Sequence, residues 1–179
     1  MFQLLPTGKA QETEFEVKIS SVWGKALDLL RILLELCQVL SKQFVEENAT
    51  EAIQSYRLDA LIRLQARGCL VTSEIIALLK TGHADGANAR WRTLYEISIV
   101  SRFLFENDEE LAERYLLHSN IQSLKAINLY NRNAQAMNEH FLSQDHVPFH
   151  QGEVEELTRI RDQLCERFKP EFANDYGWA

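Results

Sequence analysis

Cysteine, proline and glycine are all scarce: three, three and seven residues in a chain of 179. Cys37, Cys69 and Cys165 are far apart, with no CxxC pair and no Cys–His spacing suited to zinc. That excludes a disulfide-framed miniprotein and a zinc module. Each cysteine sits in an apolar helical context, where a thiol behaves as a small hydrophobe, and this usage points to a reducing cytoplasm. Pro6, Pro148 and Pro170 fall outside the periodic segments, so long helices run uninterrupted. With 46% hydrophobic residues and so little Gly and Pro, the chain is neither collagen-like nor disordered.

A long hydrophobic run is missing too. The most apolar stretch, Ala26–Leu40, is broken by Asp28, Arg31 and Glu35, which makes it too short and too charged to cross a bilayer. The opening residues 1–9 carry no basic stretch ahead of an apolar core, so no export signal is expected. Basic charge is in deficit as well: 19 Lys and Arg stand against 26 Asp and Glu, a net charge of -7. The acidic excess falls in residues 91–179, while the run from Arg57 to Arg102 is locally positive. That mild excess is no footprint for DNA.

Among nucleotide and hydrolase motifs there is no P-loop, GxGxxG, GxSxG or HExxH, and Gly82–Gly86 is too short and Lys-poor to cradle phosphates. The paired ExxH motifs of di-iron bundles are absent. His146 and His150 flank Pro148, but two imidazoles in a loop make a poor ligand set, and surface histidines explain them. No cofactor and no metal are expected.

What is there is helical periodicity. Trp23, Leu27, Leu30, Leu34, Cys37 and Phe44 recur at three- and four-residue steps and predict a first helix over 14–47. Thr50 is placed to cap a second helix, with Ile53, Tyr56, Ala60, Leu64, Val71, Ile75 and Leu78 as its core stripe. That helix should stop at Gly82 in a left-handed conformation. Asp85 caps a third, 86–105. Asn107 with Glu110 forms an approximate capping box for a fourth, running to about residue 141. A loop over 143–152 precedes a fifth helix, 153–168, which ends before Pro170. Strand signals are lacking. The expectation is an all-α antiparallel bundle of four to five long helices in a single domain, residues 1–179.

The third helix is apolar around most of its circumference, which predicts a central position with Trp91, Leu94, Ile97, Val100 and Leu104 in the core. On it, Arg92 and Glu96 stand four apart and share a stripe with Ile99 and Phe103. At 100° per residue these four positions lie within roughly 60°. A buried charge needs its partner, so the pair reads as a structural ion pair fixing register, with a charged cleft as the functional alternative. On the fourth helix, Glu110, Arg114, His118 and Lys125 follow one face. Arg114 could stabilise negative charge on a phosphate while His118 acts as acid or base, as metal-independent RNA cleavage requires. A solvated face salt-bridged through Glu110 and Glu113 explains the same residues.

The stretch Gly82–Ile97, with Ala89-Arg90-Trp91-Arg92-x-Leu94-x-Glu96 at its centre, and the looser Glu113-Arg114-Tyr115-x-x-His118 carry a resemblance. They are similar to a bacterial domain-of-unknown-function family, numbered five-six-seven-seven, from the first long helix to Tyr176-Gly177-Trp178-Ala179. The resemblance implies an all-helical protein and supplies no activity. It also implies a further C-terminal helical segment, with a Tyr-Ser-His pattern, which this chain lacks. Phe172, Tyr176 and Trp178 should then either pack on the bundle or begin such a helix.

Helical families of this kind are also compared with the HEPN superfamily of RNases and defence toxins, whose Arg and His are separated by four to six residues. Arg114 and His118 have three between them, a departure from that pattern. Two readings follow. The first is a self-associating interaction module, expected as a homodimer. The alternative is an HEPN-like metal-independent ribonuclease or toxin acting on RNA or a nucleotide through Arg114 and His118, with Arg90, Arg92, Glu96, Glu113 and Lys125 in support.

Overall fold

The computed structural model describes residues 4–48, 50, 54–138 and 151–179, with side chains at 13–48, 50, 54–133 and 152–179. Among the described residues five long α-helices are found: α1 (Leu4–Glu47), α2 (Tyr56–Lys80), α3 (Ala84–Glu106), α4 (Glu109–Asn138) and α5 (Gln151–Phe168). A 3-10 turn, Pro170–Ala173, follows. Among the described residues there is no strand. The protein is all-α, built of packed helices, as the periodicity predicts. The chain divides into two compact units, residues 1–107 and residues 108–179, where composition suggests a single domain.

In the first unit α2 packs against both α1 and α3. Its stripe of Ala60, Leu64, Val71, Ile75 and Ile76 is buried. Val71 and Ile75 meet Ala87 of α3, with Leu78, Leu79, Leu94 and Ile97 packed around them. The predicted end of α2 is found in full. Gly82 has φ +83, the His83 N–H donates to Leu78 O (2.8 Å) and the Gly82 N–H to Leu79 O (3.3 Å). This is the paired closure of a Schellman cap. Glycine is favoured there by its positive φ, and a Cβ would also push the Phe15 ring aside.

Other caps differ from expectation. The N-cap of α2 is Ser55, whose Oγ accepts from the Leu58 N–H (3.1 Å); the expected start near Thr50 adjoins residues 49 and 51–53, outside the described set. Asp85 lies in the first turn of α3 rather than before it, where its charge still suits the positive helix end. The cap of α4 is Asp108, accepting from Leu111 N–H (2.9 Å), while Asn107 donates back to Phe103 O (2.8 Å) and closes α3. One residue thus ends a helix and the next begins another. The expected loop at 143–152 lies mostly outside the described residues, and Gly152 belongs to α5.

The central element is α2, not α3. On α3, Leu104 is buried and Leu94, Ile97 and Val100 are half-buried, but Trp91 is 56% exposed. Tyr95, Ile99 and Phe105 are exposed too. Apolar residues all round a helix are compatible with burial without compelling it, and here α2 covers only one side of α3.

In the second unit α4 buries Ala112, His118, Ile121, Leu124 and Ile127, and α5 buries Leu164. The 169–179 segment returns over α4 and α5 with Phe172 (1% exposed) and Trp178 (9%) packed inward. These aromatics therefore serve as core residues of the unit, whereas Tyr176 stays exposed.

Candidate functional site

The α4 face selected from sequence is the face that holds the 169–179 segment. Arg114 and His118 are one helical turn apart and reach the same stretch of chain. His118 is 5% exposed, and its Nε2 lies 2.9 Å from Asn174 O. A carbonyl only accepts, so Nε2 carries the proton in that bond. The ring stands edge-on to Phe172, with centroids 5.4 Å apart. Arg114 donates from Nη2 to Gly177 O (3.0 Å), its Cζ lies 6.0 Å from the Phe168 ring centre, and its Nε is buried without a hydrogen-bond partner. Among the described residues no carboxylate pairs with it.

Charged residues on either side complete the attachment. Lys125 Nζ donates to Asp175 Oδ1 (2.6 Å). The ammonium holds the Asp175 carboxyl below its ordinary value, first through this hydrogen bond and then through charge. Glu113 takes both arms of Arg167, at 2.8 and 2.6 Å, a fork-on-carboxylate pair, and Arg167 in turn covers the Phe168 ring at 4.5 Å. Tyr115 meets Trp178 edge-on at 4.8 Å, and burial pushes its phenol pKa up. Glu110 is exposed.

The segment is shaped to fit. Lys169 has φ 80 and ψ 159, a backbone region nearly confined to glycine and costing a side chain on the order of 1–3 kcal/mol. Tyr176 also has positive φ (60). At Gly177 a Cβ would collide with the carbonyls of Glu171 and Phe172, so only glycine allows the turn to close there. Successive bonds, Asn174 N–H to Glu171 O (2.9 Å), Gly177 N–H to Asn174 O (3.1 Å) and Ala179 N–H to Tyr176 O (3.0 Å), wind it into a compact hook.

The residues singled out on α3 are arranged differently. Arg92 and Glu96 are both exposed, and the buried ion pair expected between them is not formed. Their stripe is on the side of α3 that α2 leaves open, so neither charge needs a buried partner. Arg90 instead approaches Glu74 of α2, Nε to Oε2 2.7 Å, both half-exposed. That Glu74 oxygen lacks a well-aligned hydrogen bond, so the contact is an ion pair.

Sequence reasoning named Glu113, Arg114, His118 and Lys125, and Phe172 as an aromatic that could pack on the bundle, but not the polar partners Arg167, Asn174, Asp175 and Gly177. The signal available was the aromatic load of the last eight residues. Among the described residues no group of three or more His, Cys, Asp or Glu is placed to hold a metal ion, and no helix is long and apolar enough to cross a membrane.

Compared with known proteins, the chain finds no match among curated proteins or among solved structures. Residues 58–179 match a family described as a family of unknown function (DUF5677). The match opens within α2 and takes in both motifs, around Arg90–Glu96 and Glu113–His118, and the whole hook. The resemblance read from the first helix onward is thus wider than the match, which leaves α1 outside. Through this stretch of well over half its length, the chain belongs to that family of unknown function.

Proposed function

We propose that this protein is a self-associating helical interaction module. One observation carries the reading: the first unit leaves a broad apolar surface uncovered. On α1, Val22, Leu29, Leu33, Leu36 and Leu40 are more than half exposed, and on α3 so are Trp91 and Tyr95, stacked at 5.8 Å. Apolar surface exposed on this scale seldom stays bare on a monomer and marks an interaction site. The second unit supports the same reading. Its Arg114 and His118 direct polar atoms to backbone carbonyls of the 169–179 segment, which favours fasteners of the fold over a reacting pair.

The test is light scattering on the purified full chain. The expected mass is twice 20.7 kDa. A single-chain mass at the highest soluble concentration would overturn the reading.

A further inference from the structure

The bare surface of α1 has a period. Val22, Ala26, Leu29, Leu33, Leu36 and Leu40 follow steps of four, three, four, three and four. At 100° per residue they fall within an arc of about 80°. A neighbouring arc holds Leu27, Leu30, Leu34 and Cys37, of which Leu27 and Leu34 are buried in the first unit, where α1 packs on α2. Helix α1 therefore carries two adjacent heptad seams, and α2 answers only one. A seam of this repeat is filled by the knobs of another helix.

We propose that the second seam is covered by α1 of a second copy of this chain, running antiparallel. This rests on the self-association reading and adds to it the surface and the register. The seam is self-complementary about a point between Leu27 and Asp28. In that register Ala26 faces Leu29 of the second copy, Val22 faces Leu33, Ile19 faces Leu36 and Phe15 faces Leu40. Small or branched side chains oppose leucines along most of its length, and every contact occurs twice, as two-fold symmetry demands. Charge agrees with it. Lys25 edges the seam opposite Ile32 of the second copy, with that copy's Asp28 and Glu35 one turn to either side.

Area agrees as well. The paired stretch 15–40 is about 38 Å long and about 10 Å wide, or roughly 400 Å². That is about half of the ~800 Å² that each partner of a stable dimer buries. The remainder is at hand beside it: a groove of about 1020 Å³ continues from Leu33, Cys37 and Leu40 across the α2 floor to Leu94 and Ile97 of α3.

Spin labels decide the register. With Cys37, Cys69 and Cys165 replaced by Ala, a label is placed through Gln38→Cys or Arg31→Cys, both on the polar side of α1. The antiparallel pair separates the two 38 positions by about 32 Å along the axis, and the two 31 positions by about 10 Å. A long distance at 38 with a short one at 31 is the expected result. Equal short distances at both sites mean a parallel pair and overturn the proposal. Leu33→Lys, at a residue 55% exposed, is expected to give a monomer with unchanged helical circular dichroism. A Leu33→Lys variant that stays dimeric would move the interface off this seam yet leave self-association standing. A parent protein that is already monomeric overturns both.

Discussion

The two units answer the same problem, how to cover apolar surface, in opposite ways. In residues 108–179 the chain covers itself: a hook of eleven residues brings Phe172 and Trp178 onto α4, and Arg114, His118, Lys125 and Glu113 fasten the hook or its approach. In residues 1–107 three helices pack through one buried stripe on α2 and leave a leucine seam on α1 and aromatics on α3 in the open. Polar residues on a helix face therefore meant internal closure in one unit, and apolar residues meant exposure in the other. Residue type alone does not say which side of a helix ends up inside.

The sharpest way to break this contrast is to truncate one aromatic or aliphatic side chain in each unit. Phe172→Ala should destabilise the second unit by about 3–5 kcal/mol, because it empties a site that is fully enclosed. Faster hydrogen exchange of the α4 amides would report it. Leu36→Ala, at a position 52% exposed, should change folding of the isolated chain by no more than ~0.5 kcal/mol and, under the proposed self-association, lower the solution mass instead. Equal losses of folding stability at both positions would erase the distinction.

A smaller effect is expected at His118. His118→Ala removes one of the two donors to Asn174 O, which keeps the Gly177 N–H, so the lost bond costs about 0.5–1.5 kcal/mol. The melting temperature should fall, and incubation with RNA should show no cleavage in parent or variant. A parent that cuts RNA, with activity lost and melting unchanged in the variant, would make the Arg114–His118 pair chemical after all.

The smallest effect concerns Asp175. Its carboxyl is held below the usual range by Lys125, so the folded state binds that proton less readily than the unfolded chain. The pair's contribution is complete above the ordinary carboxylate value of about 3.9 and is lost as pH falls through the lower folded value. Asp175 is exposed, so the change is slight. Asp175→Asn should flatten the acid limb of the stability profile; an identical limb in parent and variant would mean that the ion pair does nothing.

Much of the fold was legible because helices announce themselves locally. The stripe of α2, the stop at Gly82 and the break before Pro170 all depend on residues a few positions apart. Cap assignments slipped by a residue or more: Asp108 rather than Asn107, and Ser55 rather than Thr50. Several Ser, Thr, Asn and Asp compete at each helix start, and the winner is set by the path of the incoming chain. The face of α4 was also legible, since Arg114, His118 and Lys125 share it by spacing alone.

Sequence by itself therefore determined the helices, the core stripe of α2 from Ala60 to Ile75 and the family motifs, all of which follow from near-neighbour spacing and side-chain chemistry. Tertiary structure alone decided that α2 and not α3 is central, that Arg92 and Glu96 stay in the open, and that His118 meets Asn174 across 56 residues. Those outcomes depend on which of two apolar sides a neighbouring helix covers and on where a distant turn brings its carbonyls. A helical repeat fixes directions around one axis and carries no information about what stands opposite.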